Sequence, residues 1–247
     1  MNVTTSYRRD FQIPAPVRWL MAVTGALVTG GILLVLVGAN PVDAYVEMVK
    51  GTFGSWFDVS LVLTEMVPLV IIGLGLVIAF KARIWNIGAE GQFMFGALVG
   101  GAFALRVPLQ NQFLAIPAVL LVGALAGALW GLLVAAARVR WRVNEVISSL
   151  LLNYVALFVF AYAVRKPLRD PGGFKPTSER VPDQFVLGDV PVDEIRVHVG
   201  IVVALLLVPL VGFLVNRSPF GMRATMFGMT PEAAQAAGVN ASKMTLR

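Results

Sequence analysis

Eight polar side chains stand inside or at the mouths of strongly apolar runs, where they are costly enough to need a purpose. Glu65 sits six residues into the run that begins at Val59, with Pro68 just beyond it. A charge at the centre of a membrane span costs roughly 2.5–3.5 kcal/mol on insertion scales, so it ordinarily faces a protein interior or a watery path. Glu65 therefore reads either as a substrate or gating group in a polar cavity, or as an interfacial carboxylate hydrogen-bonded to a neighbouring helix. Asn86, Glu90 and Gln92 belong to Trp85-Asn-Ile-Gly-Ala-Glu-Gly-Gln92, at the start of the next apolar segment. Asn86 suits a helix N-cap, with Glu90 and Gln92 in the first two turns. The same residues suit a broken segment lining a translocation path, where irregular backbone is tolerated. Glu145, Ser149 and Asn153 are spaced i, i+4, i+8, which stacks them on one helix face over about 12 Å. Asn144 and Ser148 form the adjoining row. Such a stripe meets either water and solute or the polar groups of neighbouring helices.

A different pattern follows the last apolar run, in Thr230-Pro-Glu-Ala-Ala-Gln-Ala-Ala-Gly-Val239. Thr230 suits an N-cap, Pro231 the first helical position, Glu232 the positive helix end, and Gly238 the left-handed C′ position. The helix between them, Pro231 to Ala237, has a small alanine face that includes Ala233 and Ala237. It is about two turns long, too short to persist in water, because nucleation costs more than two turns return. It needs a surface to dock on.

The elements that position these residues are set by hydropathy. Hydrophobic residues make up 57% of the 247 and charged residues 14%, against about 45–50% and about 25% in a soluble domain. The excess falls in six blocks: Trp19–Gly38, Val59–Phe80, Ile87–Leu105, Phe113–Ala137, Val146–Val164 and Val199–Val215. A bilayer core of roughly 30 Å takes about 20 helical residues and leaves no partner for an open sheet edge. The expected fold is all-α, a polytopic integral membrane protein of about six transmembrane helices forming one domain over 1–247. The first block lies too deep and runs too long for a cleaved signal peptide.

Basic residues orient the spans. With the N-terminus inside, the inner segments carry twelve Lys or Arg against four Asp or Glu, and the outer segments eight against nine. Both termini are therefore expected in the cytoplasm. Residues 165–197 then form an outer loop or small cap, and 216–247 a cytoplasmic segment. Gly123, Gly127 and Gly131, with Gly96 and Gly100 in the preceding span, provide a groove for close helix approach. Asn240-Ala-Ser-Lys-Met-Thr-Leu-Arg247 reads as the cap and first turn of a further helix, so the chain either ends abruptly or is C-terminally truncated.

Several chemistries are excluded. With no cysteine, thiol catalysis, iron–sulfur clusters and cysteine-bound zinc are out, and the lone His198 builds no familiar metal site. The net charge of +6 sits at the ends of apolar segments rather than in an aromatic-interleaved stripe, which argues against nucleic acid as a partner.

Together, Trp85-Asn-Ile-Gly-Ala-Glu-Gly-Gln92, Asn144-Glu-Val-Ile-Ser-Ser-Leu-Leu-Leu-Asn-Tyr154 and Phe220-Gly…Ala233-Ala…Ala237-Gly238 resemble the permeases of simple-sugar and nucleoside ABC importers. These belong to the larger group that includes ribose and branched-chain amino acid permeases, and the resemblance covers most of the chain from Val59 onward. It implies a multi-pass protein of the inner (plasma) membrane, paired with a second permease subunit, two cytoplasmic ATPase subunits and an extracytoplasmic solute-binding protein. It implies a coupling helix at Pro231–Ala237 and alternating access driven by ATP in the partner. This chain has no G-x-x-x-x-G-K-[ST] loop, so it is expected to be neither an enzyme nor the holder of a cofactor. An ion-coupled secondary transporter or channel would show the same polar helix faces without needing a docking helix.

Overall fold

The computed structural model describes residues 14–192 and 195–246. Arg8, Arg9, Asp10, Asp193, Glu194 and Arg247, which entered the charge count above, lie outside the described residues. The chain divides into two compact units that meet at Val59 and Ser60.

The first unit holds α1 (Ala15–Leu36) and α2 (Pro41–Phe53). α1 has no buried residue. Gly38, at φ +81°, turns the chain, and Asn40 caps α2 by accepting from the Val42 amide at 3.0 Å. α2 crosses α1 at a glycine pair. The Tyr45 hydroxyl donates to the Leu27 carbonyl at 2.5 Å, and a Cβ on Gly30 would stand 2.9 Å from that hydroxyl oxygen.

α3 (Trp56–Lys81) leads into the second unit, which continues with α4 (Ala89–Arg106), α5 (Gln112–Trp141), α6 (Glu145–Arg165), α7 (Gly200–Arg217), α8 (Pro219–Met229), α9 (Pro231–Ala236) and α10 (Ala241–Leu246). All six expected apolar blocks are helices, namely α1 and α3–α7. Five of them are long and apolar enough to cross a membrane. α4 is not among the five, because Glu90, Gln92 and Arg106 dilute its 18 residues. One side of it packs against protein, with Gly91, Gly96, Leu98, Gly100 and Ala104 buried. Helices α2 and α8 were not expected from the apolar pattern; both are short and carry polar residues within the run.

The glycine groove finds its partner in α4. A Cβ on Gly96 would lie 2.8 Å from the Gly123 carbonyl oxygen, and one on Gly127 would lie 3.0 Å from the Gln92 carbonyl oxygen. Backbone meets backbone there, which small residues permit and larger ones forbid.

Between α6 and α7 the chain is polar, and its described residues hold short elements. A 3₁₀ turn (Asp183–Phe185) precedes an antiparallel pair, β1 (Asp189–Val192) with β2 (Ile195–His198), in which Asp189 faces His198. Phe185, 6% exposed, plugs a socket of Ala104 and Ala115, with Phe103 edge-on at 6.1 Å. His198 starts α7: its Nδ1 accepts from the Gly200 amide at 3.1 Å.

Candidate functional site

Both sequence motifs begin at a strained turn. α3 and α5 are each followed within two residues by an arginine in the left-handed region, Arg83 at φ +52° and Arg142 at φ +54°. At the first, the Ile84 amide donates back to Ala79 and the Arg83 amide to Phe80, each at 3.0 Å. The conformation costs a non-glycine residue roughly 1–2 kcal/mol. A cation at a helix C-terminus returns about 0.3–1 kcal/mol of that.

The start of α4 is built differently from the expectation. Gly88, not Asn86, occupies the N-cap position, and it has no side chain to cap with. Asn86 stands two residues earlier and accepts from the Gly88 amide at 3.0 Å, closing a local turn. The cap comes from α6. Asn153 Oδ1 accepts from the Gly91 amide at 2.9 Å, and Asn153 Nδ2 donates to the Ile87 carbonyl at 2.9 Å. One amide thus satisfies a free donor of the first helical turn and the carbonyl just before it. Glycine is required at 91, since a Cβ would sit 2.7 Å from Asn153 Oδ1 and 3.2 Å from the Trp130 indole nitrogen.

The rest of the α6 stripe faces the same way. Ser149 is fully buried and donates to the Val146 carbonyl at 3.2 Å; a Cβ on Gly88 would stand 3.0 Å from its own Cβ. Glu145 accepts from the Arg138 guanidinium at 2.6 Å, tying the start of α6 to the end of α5. Asn144 caps α6 through the Val146 amide at 2.9 Å. The polar atoms of Ser149 and Asn153 are committed to protein partners.

Two cavities flank the start of α4. One, about 410 Å³, lies at the end marked by Ala82 and Arg138 and is lined by Trp85, Asn86, Gln92, Arg138, Glu145 and Thr245 among others. The second, about 600 Å³, runs along α3, α4 and α5 past Phe93, Gly96, Gly100 and Gly123. Gly75, Asn86, Gln92 and Ala128 line both. Glu65 and Glu90 are exposed, outside both cavities, and neither forms an ion pair among the described residues. Arg138 and Thr245 were missed from sequence. Arg138 looked like an orientation charge, although its spacing of seven residues from Glu145 across a helix end could have suggested the pair.

The segment after α7 folds onto this end of the unit. Ser218 caps α8 by accepting from the Gly221 amide at 3.1 Å. α8 then lies against the end of α3 so closely that a Cβ on Gly228 would meet the Lys81 carbonyl oxygen. α9 ends at Ala236, one residue earlier than expected. Thr230 holds the N-cap position, but its side chain makes no capping bond; the first turn is closed by the Ala234 amide on the Thr230 carbonyl at 3.0 Å. Gly238 takes φ +86° at C′, with the Val239 amide on the Ala234 carbonyl at 2.9 Å. Ala234, 1% exposed, packs in a cluster with Ala82, Ala224, Phe227 and Met244. Pro231, Glu232, Ala233, Gln235, Ala236 and Ala237 are exposed. The short helix thus docks on its own chain by one residue and presents the others outward.

Residues 59–247 match the family described as branched-chain amino acid transport system, permease component, and the match starts one residue before the second unit does. Among curated relatives, a glucose ABC transporter permease of Haloferax volcanii is 37% identical across 97% of this chain and 66% of its own length. A guanosine ABC transporter permease of Bacillus subtilis is 30% identical across 91% and 64%. A nucleoside ABC transporter permease of Lactococcus lactis is 24% identical over the same shares. The chain therefore spans about two thirds of the length of these relatives. No solved structure matches it. The relatives favour the importer expectation over an ion-coupled transporter or channel.

Proposed function

Because the chain belongs to the permease-component family of branched-chain amino acid transport systems, we propose that it is a transmembrane subunit of an ATP-binding-cassette importer for simple sugars or nucleosides. The family consists of permease components, which are not catalytic; ATP is hydrolysed by a partner. The substrate class follows the relatives, which are glucose, guanosine and nucleoside permeases. The end carrying Lys81, Arg83, Arg138, Arg140 and Arg142 faces the cytoplasm, on the charge asymmetry of the sequence. The partners are the lipid bilayer of the plasma membrane, a second permease subunit, cytoplasmic ATPase subunits and an extracytoplasmic solute-binding protein.

One observation carries the reading. α9 shares an apolar cluster with Ala82, the residue just past α3 and four positions before Asn86. A partner that grips the outward side of α9 would displace Ala234, and with it the turn that positions the polar residues at the start of α4. Packed interiors transmit such displacements because they have little free volume. The exposed small side chains at 233 and 237 suit a close-fitting ATPase groove, with Glu232 available to a basic residue.

The test is co-expression with the ATPase, followed by co-purification and solute-stimulated hydrolysis in reconstituted vesicles. Ala233→Arg adds bulk on the exposed side without touching the Ala234 cluster. Gly238→Val strains the C′ position. Both should leave membrane insertion intact and abolish either recruitment or the link between hydrolysis and uptake. Normal binding and coupling in both variants would make this segment an ordinary surface turn.

A further inference from the structure

Gln92 stands between the two cavities and lines both. Its Oε1 lies 3.5 Å from Asn86 Nδ2, a long contact, while its Nε2 makes no hydrogen bond among the described residues. That nitrogen lies over Gly131, where a Cβ would stand 2.5 Å away. Any side chain at 131 would push the amide aside.

We infer that the two cavities are halves of one solute site, and that the Asn86 and Gln92 amides form the bar between them, recognising an uncharged solute by hydrogen bonding. This rests on the importer reading above and deepens it. The volumes of about 410 and 600 Å³ fall in the range of small-molecule sites, roughly 300–1,000 Å³. Of the residues lining either cavity, Arg138 and Glu145 are the ionisable ones, and they answer each other at 2.6 Å. A zwitterionic amino acid would carry an ammonium and a carboxylate into this lining and find no unpaired counter-charge, and a buried charge left unpaired is strongly disfavoured. A sugar or nucleoside brings hydroxyls and ring faces instead. Gln92 Nε2 can donate to them, and the Thr245 hydroxyl, which donates to Ala241 at 3.0 Å, keeps its lone pairs for accepting. Trp85, 58% exposed and tilted against Phe80 at 5.3 Å, offers an aromatic face.

The inference also supplies a selective step. The 3.5 Å contact is near the limit of a hydrogen bond, so a solute that accepts from Gln92 can draw the amide off Asn86 and open the bar. A solute with no acceptor leaves it closed.

The experiment uses the full chain with its ATPase partner in nanodiscs and measures equilibrium binding of D-glucose, guanosine and L-leucine. Glucose or guanosine should bind, and leucine should bind at least tenfold more weakly than whichever of the two binds better. Gln92→Met, which keeps length but removes the donor, and Gly131→Ala, which displaces it, should each weaken binding tenfold or more. A second readout does not depend on altering Gln92. In this cysteine-free chain, Ala128→Cys places one thiol in the lining of both cavities, and the solute that binds should slow its modification by a maleimide. Leucine binding as tight as the better of the other two, unchanged affinity in both variants, or no protection at position 128 would each overturn the inference. Co-purification of the ATPase is read on the same preparations. Its loss in the unaltered chain counts against the importer reading, whereas its retention without solute binding counts against this site alone.

Discussion

Asn153 caps a helix that precedes its own, its Oδ1 accepting from the amide of Gly91, 62 residues earlier, at 2.9 Å while its Nδ2 donates to Ile87 at the same distance. The polar stripe on α6 is in this part a clasp, holding the start of α4 at a fixed depth beside α5. Two consequences follow for the cavities: Asn86 and Gln92 are positioned by a residue that touches neither cavity, and a glycine at 91 is needed for the clasp to close.

Replacing Asn153 by Leu should therefore lower stability before it touches recognition. The Gly91 amide would lose its partner in a partly buried site, at about 1–3 kcal/mol, and the exposed Ile87 carbonyl would lose its own. For a chain of this size 1 kcal/mol corresponds to roughly 2–4 °C, so thermal loss of the monodisperse peak should move down by about 2 °C or more. Gly91→Ala should act in the same direction by blocking the clasp sterically. A melting profile unchanged in both variants would show that the amide is dispensable.

Gly228→Val tests the contact between α8 and the end of α3. A side chain there meets the Lys81 carbonyl oxygen, so α8 must lift and take the Ala234 cluster with it. Insertion should be normal, α9 should become sensitive to limited proteolysis at its exposed residues, and ATPase association should fall. Unaltered proteolysis would show that α8 seats without this close approach.

Phe185→Ala should free the polar segment between α6 and α7. Truncating a buried Phe costs about 3–5 kcal/mol, more than the single Gln112-to-Val186 hydrogen bond at 3.2 Å can restore at about 0.5–1.5 kcal/mol. Trypsin should then cut at Arg180 several-fold faster than in the unaltered chain, while α7 and α8 stay intact. Equal cleavage rates would place the anchor elsewhere.

Orientation is open to a direct chemical test. A cysteine in place of Phe174, fully exposed in the polar segment, should react with an impermeant maleimide in intact cells. One in place of Met222, exposed on α8, should react only after lysis. The reverse pattern would invert the topology proposed from the basic residues.

The spans were legible because their signal is additive: long apolar runs leave few alternatives, and each of the six runs holds a helix. Two helices escaped for lack of that run, although their caps were written in the chain. Asn40-Pro-x-Asp43 opens α2 and Ser218-Pro opens α8, each with a side chain on the expected amide. The turn residues were legible too, Gly238 at its positive φ among them. The site was legible only as a set of polar residues. Asn86 looked like a cap because Asn favours caps, and no local rule could say that Asn153 would supply the bond from another helix. Nor could spacing separate Gln92, which faces both cavities, from Glu90 two residues earlier, which faces neither. That depends on how α4 is rotated against Gly127 and Gly131.

The Phe185 socket also bears on the order of synthesis. Its walls, Phe103, Ala104, Ala115 and Val119, are complete once α4 and α5 have paired, while the residue that fills it is made much later and belongs to a segment that must first settle on that side of the bilayer. A nascent chain halted between those points would display an open apolar recess at the membrane surface. The closing of that recess by Phe185 is a local event by which a properly threaded chain differs from a misthreaded one.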